Sequence, residues 1–427
     1  MNNDTGVVRE VLWAEICPCL VLLRVFRIST RLQALLLAAV GAVTMTAGWR
    51  LADRSFLVET SEPNGPTATE IAYLSKWPGA RTTPVCPYDK TEPAEWNRVF
   101  VSAPSDPVIS LPYRMTMPFW RAMERGTSWR SLAYYLSGGL WTVIVWAFFG
   151  GAITRMAIVQ LGRDERVDLR TAMVFGRKKI RAHIAGPLMP LVGVVFVIVP
   201  LFLLGWIMQT DVGAFLGGFG WLLVLGLSSL MVLLLTALLV GWPLMWAAIC
   251  AEGSDGFDAI SRVYAYTLQR PLHYLFYAFL ASILGLLGWL LVWGISEAVV
   301  ALGFWGVYLG TGEYRMTQIV AASGVMVENA PTGALAAPPS WALEQGARLA
   351  GLWVAFVRSL ASGYAYAYFW CAAAAVYLLL RKEVDATEFD EIHIDEEDGF
   401  GLPKIKEDTA DLDEVTPTSS TDRDDAH

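Results

Sequence analysis

Ala157-Ile-Val-Gln-Leu-Gly-Arg-Asp164 and Ala248-Ile-Cys-Ala-Glu-Gly-Ser-Asp255 are variants of one phrase, set 91 residues apart at the ends of two long apolar segments. Each is followed by a short helical pattern and then by a histidine, His183 or His273, that opens the next apolar segment. Ala157, Ile158, Gly162 and Asp164 align with Ala248, Ile249, Gly253 and Asp255, and a one-residue slip then places Asp168 and His183 on Asp258 and His273. Two copies of a helix-loop-helix unit in an apolar chain indicate a parallel internal repeat.

The surrounding chain is apolar enough to decide the class. Its mean hydropathy is +0.44, and 55% of its 427 residues are hydrophobic against 17% charged. Crossing a hydrocarbon core of roughly 30 Å takes about 20 apolar residues. Six stretches qualify, at about 32 to 52, 132 to 155, 186 to 209, 220 to 250, 272 to 303 and 350 to 380. Continuous runs of this length are helices, because the strands of a membrane barrel alternate. The expected fold is therefore all-α, a polytopic transmembrane bundle of about six spans.

Its organisation reads as an interfacial segment 1–31, span one at 32–52 and a loop 53–131. Repeat unit one follows at 132–209, repeat unit two at 220–303, a second loop at 304–349, span six at 350–382 and an acidic tail at 383–427. Val11 to Leu23 is apolar but short, contains Glu15 and Pro18, and reads as a helix lying on the membrane surface. Ten of the 21 prolines fall in 53–131, which predicts an irregular cap with short strands.

Charge sets the orientation. The net charge of -8 conceals a tail with 17 acidic and 3 basic residues, and the rest of the chain carries 23 acidic and 29 basic, or +6. Basic residues cluster at Arg24, Arg27 and Arg31, at Arg155 to Arg181, and at Arg381-Lys382, all on one side of a six-span chain. The positive-inside rule makes that side, with both termini, cytoplasmic, and 53–131, 210–219 and 304–349 face outward. A bacterial cytoplasmic membrane is the expected location.

Several residues invite a functional reading. Glu297 lies 24 residues after His273 and Arg358 lies 23 before Arg381, so both sit about 35 Å from the basic edge and can form an ion pair. Arg177, Lys178 and Lys179 offer a contact for anionic lipid, although such charges also serve simply to orient a span. Gly363, Ala367, Cys371 and Ala375 form a stripe of small side chains that lets another helix approach. Pro200 and Pro243 fall within spans and are expected to kink them. His183 and His273 can titrate or bind an ion as a pair, or each can rest at headgroup level with one nitrogen on a backbone carbonyl.

The five cysteines include Cys17-Pro-Cys19, but two thiols are too few for a zinc site. With four histidines and no H-E-x-x-H, G-x-S-x-G or phosphate-binding loop, no catalytic, metal or cofactor site is expected, and no nucleic-acid partner. Phe389, Ile392, Ile394, Phe400, Leu402 and Ile405 interrupt the acidic tail at intervals. They suit a disordered segment that docks a basic cytoplasmic protein, or one that lies back on the chain's own loop from Arg163 to Arg181.

Gly241-Trp-Pro-Leu-Met-Trp246, Ala251-Glu-Gly-Ser-Asp255, Phe257-Asp-Ala-Ile-Ser-Arg262 and Tyr266-Thr-Leu-Gln-Arg-Pro-Leu-His-Tyr-Leu-Phe276 together resemble an uncharacterised family of bacterial multi-span membrane proteins of the planctomycete type. Phe148-Phe-Gly-Gly-Ala-Ile153, Val384-Asp-Ala-Thr-Glu388 and Phe400-Gly-Leu-Pro403 extend the resemblance. It implies a topology and no chemistry. In layout the chain is faintly similar to the membrane domains that accompany some glycerophosphodiesterases, whose hydrolase residues it lacks.

The functional expectation is a non-enzymatic bundle that organises membrane or recruits a partner, with a carrier for a lipid or small solute as the alternative; no oligomeric state is implied. Accessibility labelling of a cysteine placed after Ser102 should report the outside, and of one at the C-terminus the inside. The same side for both overturns the six-span reading.

Overall fold

The computed structural model describes residues 18–56, 71, 74–78, 107–124, 126–323 and 340–394. Among them every regular element is a helix. After a 3-10 turn at Pro18–Leu20 come α1 (Val21–Ser29), α2 (Leu32–Phe56), α3 (Pro107–Ala122), α4 (Trp129–Arg163), α5 (Leu169–Lys178), α6 (Ile180–Ile207), α7 (Asp211–Phe219), α8 (Trp221–Glu252), α9 (Gly256–Gln269), α10 (Pro271–Ser323) and α11 (Trp341–Asp385).

Five of these are long and apolar enough to cross a membrane: α2, α4, α6, α10 and α11. The count is six if α7 and the start of α8, bent by 67° at Gly220, make one span. Long helices that follow one another in the chain run antiparallel. Gly41 of α2 faces Phe149 of α4, Gly48 faces Trp141, and Trp49 faces Gly138, so the two numberings run in opposite directions. His183 meets Cys250 while Gly193 faces Leu234, which orders α6 against α8 in the same sense. The starts of α2, α6 and α10 and the ends of α4, α8 and α11 therefore gather at one end, called here the basic end.

An aromatic column ties the interior together. Tyr366 stacks on Trp146 at 4.5 Å, and Trp370 stacks on Trp246 at 4.4 Å with its ring 6.2 Å from Trp146. Offset stacking adds about 0.5–1.5 kcal/mol per pair beyond burial. α11 supplies Tyr366 and Trp370 and is the most enclosed of the long helices, with 94% of its span window buried against 17% for α6.

Several boundaries differ from the sequence reading. Most of the expected surface helix Val11 to Leu23 lies outside the described residues, which begin at 18; Leu22 and Leu23 belong to α1, which begins at Val21 and buries Val21, Leu22, Val25 and Ile28 against the bundle. Proline density in 53–131 does not exclude a helix, because α3 runs through Pro112 and Pro118. Its buried Leu111, Met115 and Met117, and Pro118 and Phe119 against Gly139 of α4, supply packing that offsets the hydrogen bonds proline removes. The expected short strands are not found among the described residues.

The turn 210–219 is the helix α7, capped by Thr210 Oγ1 on Gly213 N at 3.0 Å. The loop 304–349 is largely helical, since α10 continues to Ser323 and α11 starts at Trp341. Gly312, at φ 71° and ψ 172°, breaks α10 and lets Met316 and Val320 fold back against Val300 and Phe304. The acidic tail starts later than composition suggests: Glu383 to Asp385 close α11, residues 386–393 lie on the bundle, and 395–427 fall outside the described residues.

The two related corners at Asp164 and Gly253 are built alike but out of sequence register. α4 ends on Asp164 at φ 59° and α8 on Gly253 at φ 62°, and each amide bonds the carbonyl four residues back. The next helix starts on a capping aspartate in both cases, Asp168 for α5 and Asp255 for α9. Sequence had paired Asp164 with Asp255. Geometry pairs it with Gly253.

Candidate functional site

A helix leaves its last carbonyls without intrahelical partners. At the end of α8 those carbonyls are met from three directions. Arg155 Nη1 of α4 donates to Cys250 O at 2.7 Å, the His393 amide donates to Ala251 O at 2.7 Å, and Lys179 Nζ donates to Gly253 O. Two of the three donors are cations at the negative end of a helix dipole, where each is favoured by about 0.3–1 kcal/mol or more when partly buried.

By charge alone Arg155 groups with the basic residues at the edge of a span. It is buried two turns inside α4, with its guanidinium 4.6 Å from the centre of the Phe175 ring of α5. α4 continues to Arg163, eight residues past the expected end of the span, which carries Arg155 into the bundle.

Beside these carbonyls lies a network of charged and phenolic groups. Glu252 accepts from Tyr377 at 2.6 Å and pairs with Arg262 at 2.8 Å and Arg381 at 3.6 Å. Tyr266 of α9 donates to Asp385, and Tyr277 to Glu383 at 3.3 Å. Burial, then the bond to Asp385 and that carboxylate's charge, push the Tyr266 phenol up to about 12. It remains a donor at neutral pH.

The chain after α11 closes over both corners. Ala386, at φ 52°, turns it back, and the Phe389 carbonyl packs on Gly162 at the end of α4. Ile392 is buried, and the His393 ring covers Gly253. Arg381 donates to Glu391 O at 2.7 Å, Arg163 to Asp390 O at 3.3 Å, and Lys382 lies 5.1 Å from the Phe389 ring centre. Residues 386–393 thus form a strap that reaches the last turns of α4 and α8 together.

His183 is fully buried rather than at headgroup level. Its Nδ1 donates to Lys179 O at 3.0 Å, so Nε2 is the acceptor facing Cys250 Sγ at 3.4 Å, and its own carbonyl accepts from Trp246 at 2.7 Å. His273 is half-buried near the Tyr277 ring. The two histidines have unlike surroundings.

The candidate pair of charges meets within the bundle. Arg358 reaches Glu297 in fork geometry, Nε to Oε1 at 2.9 Å and Nη2 to Oε2 at 3.2 Å, with side chains 5% and 4% exposed. Gly363 lies against the backbone of Leu35 and Ala39 in α2, where an added Cβ would come within 3.0 Å, and Ala367, Cys371 and Ala375 below it are buried. Of the candidate lipid contacts, Arg177 and Lys178 are exposed, whereas Lys179 is spent on Gly253.

Between α3, α4, α6 and α8 lies a cleft with about 790 Å³ of empty space. Phe119, Trp120, Trp146, Leu191, Leu239 and Trp242 are among its walls. Among the described residues no three His, Cys, Asp or Glu side chains are grouped to hold a metal ion. Compared with protein families, curated proteins and solved structures, the chain matches none.

Two stability measurements probe this arrangement. Arg155→Leu should lower stability by about 1–3 kcal/mol, by leaving the Cys250 carbonyl buried without its donor; thermal unfolding in detergent reads the loss. Glu297→Leu or Arg358→Met alone should cost about 3–5 kcal/mol, and the double variant much less, because each single change strands a buried charge. Additive losses in that cycle would show that the two side chains act independently.

Proposed function

We propose that the protein is a non-enzymatic multi-pass bundle of a bacterial cytoplasmic membrane, built on a parallel repeat, whose basic end and termini face the cytoplasm. There it presents the acidic segment after residue 394 to a cytoplasmic partner. The observation that carries this reading is the strap. Its anchorage to Gly162, Arg163, Ala251 and Gly253 keeps residues 386–393 at the end of the bundle where the basic residues gather. Acidic residues 395–427, interrupted by Phe400, Leu402 and Ile405, follow the strap in sequence. The buried ionic groups support a structural rather than catalytic role, since Arg155, Glu252, Glu297 and Arg358 are engaged with partners inside the bundle.

A second reading, as a carrier for a lipid or apolar solute, is favoured by the cleft at Trp146 and Trp242. Its walls suit hydrocarbon rather than a polar solute. Flux and lipid-scrambling assays in liposomes separate carrier from scaffold.

Truncation after Ile394 tests the recruiting role, because it keeps the strap. Thermal stability should be unchanged, while proteins cross-linked to the full chain in native membranes should be lost. Retention of the same partners by the truncated chain overturns the proposal.

A further inference from the structure

A second cluster at the basic end, on other residues than the strap, has the composition of a lipid headgroup site. α1 and α2 are joined by a turn in which Thr30 Oγ1 bonds Phe26 O at 2.9 Å. The turn places Arg31 at a narrow crevice that it lines together with Gln33, Gln160 and Val167. Arg31 donates to Gln160 in the last turn of α4, which draws its guanidinium across the crevice mouth. Gln33 completes the polar rim, and Ile153, Met156 and Cys371 form an apolar floor.

Arg27 lies four residues before Arg31, in the last turn of α1, and Val167, which lines the same crevice, brings its chain neighbour Arg166 to the edge. Burial first, then repulsion from Arg166 and from Arg27, lower the Arg31 pKa below the usual guanidinium value. Among the described residues no carboxylate bonds to any of the three; Asp164 is held by Arg24. Three like charges beside a crevice are stabilised by an anion.

The flanking surface identifies the kind of anion. Leu23, four residues before Arg27 and so on the same face of α1, is 55% exposed, and Leu32 is 63% exposed. Leu32 opens one span-length helix and Arg163 closes another, so the arginines stand where hydrocarbon gives way to water. This height rests on the reading that the basic end meets a membrane surface. A phospholipid offers a phosphate and a hydrocarbon chain together; a free anion uses only the arginines.

We propose that Arg27, Arg31 and Arg166 bind the phosphate of an anionic glycerophospholipid whose acyl chain lies along Leu23 and Leu32. The test uses full-length protein, delipidated in a neutral detergent and titrated with phosphatidylglycerol or phosphatidylcholine under native mass spectrometry. A phosphatidylglycerol with a photoreactive headgroup reports the place of binding. The wild type should retain phosphatidylglycerol preferentially, with cross-links in peptides spanning 20–32 and 163–167. Arg27→Gln with Arg166→Gln should reduce that retention by about 25-fold, roughly fivefold for each charge removed. Arg31 is left in place because its bond to Gln160 belongs to the fold, and thermal unfolding checks that the double variant is intact. Unchanged retention in a folded double variant overturns the site. So does equal retention of the two lipids, or displacement of the headgroup cross-link by inorganic phosphate alone, which would mark a free-anion site.

Discussion

The carbonyl end of α8 is the constraint around which the basic half of the molecule is arranged. A helix that stops among packed neighbours cannot leave its terminal oxygens to water, and each buried oxygen without a donor costs about 1–3 kcal/mol. Here the donors come from α4, from the residue preceding α6 and from the chain after α11. One helix terminus thereby joins elements that are far apart in sequence. Glu252, on the same turn, extends the connection to α9 and α11 through Arg262 and Tyr377.

Five of the six expected spans were legible because a run of about 20 apolar residues has few alternatives in a membrane-sized helix, whereas the expected span at 220–250 crosses only if α7 is counted with the start of α8. Glu297 and Arg358 were legible for a related reason: a charge within an apolar run needs a partner, and counting residues from the basic edge puts both at one height. The caps were not legible. Arg155 looks like any flanking arginine until α4 is seen to run eight residues further, and nothing in Lys179 distinguishes a cap from a headgroup contact. Glu252 is inconspicuous for the same reason, since its role depends on residues 10 and 129 positions away. Composition also hid the strap. Asp390 and Glu391 made residues 386–393 look like the acidic chain beyond them, while Phe389 and Ile392 are enough to seat that short segment.

The long helices are unequal in what they contact. α11 carries Tyr366 and Trp370 into the aromatic column and is enclosed along most of its span, whereas α6 and the first half of α8 expose Phe196, Phe202, Trp206, Leu222 and Leu223. An apolar surface of that kind is stable only against hydrocarbon or another apolar surface. The column fixes the interior, and those outer faces are left to the bilayer.

The strap also places in time the last contacts made among the described residues. A chain is made from its N-terminus, and segments pack as they emerge. Arg163 meets its carbonyl partner 227 residues later, at Asp390, and Ala251 waits for His393. Both corners therefore stay open while α9, α10 and α11 are synthesised, and they close only after the final helix has taken its place. A ribosome stalled before Phe389 would hold a complete set of spans whose ends are still unsealed, so the strap marks the step at which insertion becomes a finished fold.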